Sequence, residues 1–324
     1  MLNSSNPVIV RSSVNKLGLV QQYGMFFILL LVAAIFTILT PNFLTTSNLI
    51  NILRQVSVIG IVAAGQTLVI ITAGIDLSVG SIVGLAGAVS AGVTLATGSA
   101  SLGIIAGLLT GTLFGLANGF LISKLKLTPF IVTLASMTVL SGLTLIYTEG
   151  NPIQITSEVY KFIGQGYIGP IPFPVIVLLL VYAVLYFVLK RTVHGQYIYS
   201  IGGNEKASLL SGIRVNVHKT IVYGTSGLLA GLASIILSAR LSSATPVAGT
   251  GYELDAIAAV ILGGTSLFGG KGSVLGTLIG VLLLGILTSG MNLINVSPFY
   301  QNVAKGLIVL LAVLIDRMIN KEKQ

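Results

Sequence analysis

The stretch LGGTSLFGGKGSVLG, Leu262–Gly276, decides what kind of chain this is. Glycines around a lysine suggest a loop that wraps phosphate. Such a loop needs a glycine, four residues, then Gly-Lys-Ser/Thr, so that backbone N–H groups cradle the phosphates and a hydroxyl reaches the metal. Here Gly270-Lys271 is followed by Gly272, and Thr265 stands where the first glycine belongs. The spacing and the hydroxyl both miss, which argues against nucleotide binding here. The glycines serve another purpose, and the rest of the chain says which.

The 324 residues are 54% hydrophobic and 8% charged, with a mean hydropathy of +1.00. A soluble domain carries about 25% charged residues, enough to coat its surface. The run from Asp76 to Ser123 holds no lysine, arginine or glutamate after its opening aspartate, and Leu17 to Leu53 is uncharged. Runs of more than about 18 apolar residues read as membrane-crossing helices. The expected fold is therefore an all-α polytopic membrane protein. About ten spans fit the pattern, near 23–40, 56–73, 79–97, 101–122, 129–148, 173–190, 219–239, 255–268, 273–292 and 302–317. The eighth is short and bounded by glycines, as a broken or re-entrant helix is. The first lacks a small-x-small cleavage pattern and reads as an uncleaved span.

The net charge of +9 is not a nucleic-acid signature, because the basic residues sit at the ends of the apolar runs. With the N-terminus inside, only Arg54, Lys161, Arg240 and Lys305 of the 17 basic residues fall outside. That bias predicts ten spans with both termini cytoplasmic. The implied division is a cytoplasmic tail at 1–22, a transmembrane region at 23–317 and a second cytoplasmic tail at 318–324. Zero cysteines exclude a disulfide framework and a thiolate nucleophile, and the two histidines, His194 and His218, read as polar loop residues. No catalytic or metal constellation is visible.

The longest inner segment, about 191–218, contains a local helix signal. Asn204 suits the N-cap, Glu205 the positive end of the dipole and Gly212 the C′ position, which predicts a helix from Glu205 to Ser211. Asp76, between spans two and three, has two readings: an N-cap for span three, or an ion or proton site. Glu253 and Asp255 either favour the start of span eight electrostatically or face an outer vestibule. Gln66, Thr67, Asn118, Thr133 and Asn292 suit the lining of a pathway for a neutral polar solute, and interhelical hydrogen bonding accounts for each equally well. Arg54 and Arg240 are either interfacial side chains or dock an acidic protein outside.

Glycines recur every four residues at Gly103, Gly107, Gly111 and Gly115, and at Gly272, Gly276 and Gly280. Such rows let helix backbones approach closely in lipid. A weak internal repeat also shows: TAGIDLSVGSIVG (Thr72–Gly84) echoes the opening stretch, and LTPFIV (Leu127–Val132) echoes VSPFYQ (Val296–Gln301).

Three regions together resemble the ribose-type ABC sugar importer permeases: NLINILRQVSVIGIVAAGQTLVIITAGIDLSVGSIVGLAGA, YSIGGNEKASLLSGIRV and DAIAAVILGGTSLFGGKGSVLGTLIGVLLLGIL. The similarity runs from about Asn48 to Arg317. It implies a type II-like importer permease in a bacterial cell membrane (the inner one of a two-membrane envelope), carrying ribose, another monosaccharide or a nucleoside. ATP and magnesium would sit on a separate ATPase, and an extracytoplasmic sugar-binding protein would deliver the cargo. A second permease subunit, most simply an identical one, would complete the pathway within the lipid. The resemblance also makes Gly202, Gly203, Asn204, Glu205, Ala207, Leu210 and Gly212 candidates for contact with the ATPase. An ion-coupled secondary transporter using Asp76 is the competing expectation.

Overall fold

The computed structural model describes residues 16–321, so positions 1–15 and 322–324 of the expected tails lie outside the described residues. The helices run α1 (Lys16–Leu39), α2 (Thr46–Ile71), α3 (Val79–Thr97), α4 (Ala100–Lys124), α5 (Pro129–Thr148), α6 (Glu158–Gln165), α7 (Phe173–Arg191), α8 (Val193–Gly203), α9 (Glu205–Leu210), α10 (Val215–Leu241), α11 (Tyr252–Leu262), α12 (Val274–Leu293) and α13 (Pro298–Lys321). Four two-residue strands form two antiparallel pairs. β1 (Ile153–Gln154) pairs with β4 (Ser243–Ala244), and β2 (Tyr167–Ile168) with β3 (Ile171–Pro172).

Among the described residues, seven helices are long and apolar enough to cross a membrane: α2, α3, α4, α5, α7, α10 and α12. The chain is a multi-pass membrane protein. The expected eighth span is shorter than the sequence suggested. Helix α11 stops at Leu262, because Gly263 packs directly on the backbone of Gly276 and the chain then turns through left-handed Gly264, Gly269 and Gly270. Those positive φ angles are open to glycine at little cost and to other residues only under strain. The opening stretch is thus the turn between α11 and α12.

Helices α2 and α10 form the centre. Most of their apolar windows are buried (83% and 72%), against 28% for α4 and 22% for α5. The sequence explains this, since the C-terminal half of α2, VSVIGIVAAGQTLVII, is apolar all round and a helix of that kind belongs inside. The glycine rows determine who packs on whom. A Cβ on Gly107 would stand 2.9 Å from Cβ of Ser90 on α3, whereas one on Gly111 or Gly115 would strike the carbonyls of Gly227 or Tyr223 on α10. On α12, Gly276 and Gly280 meet the carbonyls of Gly263 and Ala259 in the same way. Lipid gives helices little hydrophobic reason to associate, so backbone-to-backbone approach supplies the dispersion contacts that hold them.

Candidate functional site

The segment about 191–218 is built from two helices where the sequence predicted one. Thr192 caps α8, its Oγ1 accepting from Gly195 N at 3.2 Å. Asn204 alone separates α8 from α9, and its Oδ1 accepts from Ala207 N at 2.9 Å. Gly212 follows α9 at φ 84°, the left-handed stop that the sequence anticipated. The helix expected at Glu205 to Ser211 is therefore α9, and α8 is the element the sequence missed. Its signal was Thr192 three residues before Gly195, obscured by β-branched and aromatic residues that lower helix propensity.

Helix α9 stands out from the body of the protein. Leu209 and Leu210 are 62% and 89% exposed. Glu205 anchors its start, meeting Lys219 of α10 at 2.8 Å and Lys126 at 3.9 Å. Lys126 in turn donates to Asn216 Oδ1 at 2.9 Å. Behind α9, Gly202 lies against the end of α2 and the turn before α12: a Cβ there would be 1.7 Å from Ile71 O and 2.5 Å from Gly270 N. Those two atoms are themselves hydrogen-bonded at 2.9 Å. Tyr199 of α8 adds a bond from its hydroxyl to Gly272 O at 2.9 Å. Gly203, by contrast, faces open space. So α8 forms a three-way junction with α2 and the α11–α12 turn, and α9 projects beyond it.

At the other edge of this segment His194 and His218 meet, Nδ1 to Nδ1 at 2.7 Å, with Tyr197 edge-on to the His218 ring. One ring donates and the other accepts, so at least the accepting ring is neutral in this arrangement and the two cannot both be protonated. Burial lowers the pKa of His194 below its ordinary value, and the His218 ring lowers it further. The sequence gave no sign of this pair, because the rings are 24 positions apart.

Four of the six pathway candidates converge on the linker between α2 and α3. Ser78, not Asp76, is the N-cap residue of α3. Asp76 stands two positions earlier, because its Oδ1 closes a local turn by accepting from Ser78 N at 3.0 Å and Ser78 Oγ at 2.6 Å. Its Oδ2 accepts from Ser226 Oγ at 3.3 Å. Asn118 donates to Ser78 Oγ at 2.9 Å and accepts from Ser136. Thr133 donates to Pro129 O at 2.9 Å, with Ile75 O also in reach at 3.3 Å. The Gln66 amide pairs with the Asp76 backbone in both directions at 3.3 Å. All four are buried, and among the described residues Asp76 makes no ion pair. Thr67 pairs separately with Thr277 of α12 at 2.8 Å, while exposed Asn292 accepts from Gln301 at 2.7 Å.

On the opposite side, Arg54 donates to Gln165 O at 2.7 Å and lies 4.7 Å over the Tyr167 ring, while its Nε is buried without a partner. Arg240 lies in the last turn of α10. Gln165 joins the two, its amide donating to the carbonyls of Ala239 and Arg240 and to Ser242 Oγ. Asp255 is paired with Lys305 at 2.8 Å, whereas Glu253 turns inward toward Gly80. Among the described residues no cluster of histidine or acidic side chains has the makings of a metal site.

Comparison with known proteins adds the following. A family model described as "Branched-chain amino acid transport system / permease component" matches residues 48–314. The chain is 51% identical over 302 residues to the ribose import permease protein RbsC of Bacillus subtilis, covering 93% of this chain and 94% of that one. It is 48% identical over 305 residues to RbsC of Escherichia coli K12, covering 93% and 95%. With the D-allose transport system permease protein AlsC of the same organism it shares 42% over 303 residues, covering 93% of each. No solved structure matches the chain.

Proposed function

The chain belongs to the permease family so described, and from that membership we propose that it is the membrane subunit of an ABC importer whose cargo is ribose. It is a transport subunit and not an enzyme; ATP and magnesium belong to the partner ATPase. Ribose is favoured over allose because the relatives named for ribose are 47–51% identical and the one named for allose 42%.

The observation that carries the mechanism is the projection of α9 in front of the Gly202 junction. A capped helix with two bare leucines at its tip suits a groove on a partner protein. Asn204 and Gly212 fix its two ends, Ala207 receives the cap, and Glu205 ties it to α10. Force applied to α9 reaches Gly202 and Gly203 through one residue, and from there the end of α2 and the turn before α12. In this reading the binding protein delivers sugar outside and ATP closes the paired ATPases. The moving α9 helices then swing α2 and α11–α12 so that the path opens inward.

The finer architecture is part of the same proposal. The apolar stretch of α1, the half-length α11 and α13 bring the seven long helices to ten spans. The repeat is supported by Pro-Phe starts on both α5 and α13 and by the approach of the two echoing stretches, where a Cβ on Gly269 would stand 2.8 Å from Cβ of Ala73. The basic residues support cytoplasmic termini in a bacterial inner membrane. The exposed apolar faces of α4 and α5 suit lipid and an identical second permease. Arg54 and Arg240 form an outer cationic pair for carboxylates of the binding protein.

Reconstitution tests the proposal. Proteoliposomes holding this chain with an ABC ATPase and a ribose-binding protein should accumulate ribose only with ATP. Uptake driven by a sodium or proton gradient alone would refute it and favour ion coupling through Asp76. Charge reversal at Arg54 and Arg240 together should weaken binding-protein association at least tenfold, measured in nanodiscs; unchanged docking would make the arginines purely structural.

A further inference from the structure

After β4 the chain does not enter a helix at once. The segment 245–251 stays irregular, and α11 begins only at Tyr252. Its depth follows from two fixed points on α4. Ser78 is hydrogen-bonded to Asn118, and Ser90 packs on Gly107. Gly80 and Gly84 lie between them on α3, beside the middle of the 25-residue α4. The irregular segment touches both: a Cβ on Gly84 would lie 3.2 Å from Ala248 O and 3.4 Å from Pro246 O, and one on Gly80 would be 2.4 Å from Gly249 O. Helix α11 then spans about 16 Å at 1.5 Å per residue, roughly half of a ~30 Å bilayer core. So this crossing is an unwound descent to mid-membrane followed by a half-helix. Irregular backbone is tolerated at that depth only where it is buried in protein or lines a water-filled cavity.

A cavity is there. Its volume is about 180 Å³, and it lies between α3, α5 and the unwound segment. That is more than ten times the ~10–15 Å³ that admits one water. Its polar lining is weighted toward acceptors, with the Ser141 hydroxyl beside them. Ser81, Thr144 and Thr250 each commit the hydroxyl proton to a backbone carbonyl, Ser78 O at 2.8 Å, Leu140 O at 2.7 Å and Val247 O at 2.9 Å. Their oxygens keep lone pairs. Glu253 adds a carboxylate, held by Gly251 N at 3.2 Å and brought in by the bare Cα of Gly80, where a Cβ would stand 2.2 Å from Oε2. No lysine or arginine lines the space.

We infer that this cavity is a transit site for a neutral polyol, a single monosaccharide held by its hydroxyl donors. The inference rests on the sugar-permease reading above and names the place where that sugar pauses. Acceptors without a cation repel an anion and complement a molecule whose surface is O–H groups. Short-lived hydrogen bonds at the end of a half-helix also suit passage, where tight binding would stall it.

The native chain contains no cysteine, so single cysteines can be read without background. Ser141→Cys and Thr250→Cys in cavity-lining positions, and Val159→Cys on the exposed face of α6 outside the candidate spans, would be labelled with a charged methanethiosulfonate reagent in proteoliposomes. Ribose should slow labelling of the two cavity positions at least threefold and leave Val159→Cys unchanged. Glu253→Gln, nearly isosteric, should abolish that protection and lower ATP-driven ribose uptake about tenfold at wild-type membrane abundance. If the wild type carries ribose while ribose protects neither position, or Glu253→Gln transports normally, the site is refuted and the importer reading stands. Protection by sodium chloride in place of ribose also refutes the site as a sugar station. A wild type that fails to carry ribose takes both readings down.

Discussion

Replacing Gly202 by alanine puts a methyl group where three backbones already meet. The new Cβ would be 1.7 Å from Ile71 O and 2.5 Å from Gly270 N, and neither atom belongs to a flexible side chain. An ordinary contact needs about 3.5 Å, so the carbonyl has to retreat by roughly half that distance. Retreat breaks the Gly270 N to Ile71 O bond. Overpacking of this kind costs about 1–3 kcal/mol, and an orphaned buried backbone group costs about 1–3 kcal/mol more. The expected total of roughly 2–6 kcal/mol should lower the melting temperature in detergent by about 3–9 °C. Gly203→Ala is the matched control, since a Cβ there meets nothing and a helical alanine is mildly favoured. ATP-driven uptake per folded molecule, measured on both variants, then separates stability from coupling. Equal melting temperatures for Gly202→Ala and wild type would refute the packing argument. Full uptake by a Gly202→Ala protein that melts early would show that the junction carries no motion.

The same geometry extends to other sites. Gly227→Ala should destabilise by about 2–4 kcal/mol, because its Cβ would stand 2.2 Å from Gly111 O at the α4–α10 contact; unchanged unfolding in detergent would contradict it. Glu205→Gln should change stability by under about 1 kcal/mol, since the Glu205 side chain is 44% exposed and solvent screens its pair with Lys219. Its ATP-driven uptake should nevertheless drop severalfold, and normal uptake would remove α9 from the coupling role. The histidine contact predicts a pH dependence. Folding holds the His194 pKa below its ordinary value of about 6.5, so its stability contribution is present above that pH and is lost as pH falls through the lowered value. Melting at pH 7.5 and 5.5 should differ more for wild type than for His194→Gln, and equal differences would refute the assignment.

What the sequence disclosed were the features written in one dimension. The glycine rows repeat at helical spacing, and those on α4 and α12 sit at backbone contacts because lipid rewards close approach, whereas Gly272 precedes α12 and meets the side chains of Thr265 and Ile71. Asn204, Glu205 and Gly212 announced α9 because capping involves residues within four positions of one another. The half-length of α11 was foreshadowed by glycines at both its ends. Its consequence, an unwound segment beside Gly80 and Gly84, was not, since that depends on which helix it descends against.

The polar residues were harder for a physical reason. A lone aspartate in an apolar run has the same sequence signature whether it binds an ion or closes a turn, because the distinction lies in its partners. The donors to Asp76 come from its own linker and from α10, and Gln66 and Asn118 reach the same linker from α2 and α4. Each of these residues alone reads as pathway lining, and together they satisfy one another. A set that spends its hydrogen bonds internally has few left for a passing solute. The acceptors around Glu253 are different. Ser81, Thr144 and Thr250 commit their protons to backbone carbonyls while their oxygens line the space beside Glu253 and Ser141, so acceptor capacity remains of the kind a sugar can use. The same test of unspent hydrogen-bonding capacity thus separates the Asp76 cluster, whose hydrogen bonds close on one another, from the Glu253 cavity proposed above as the transit site.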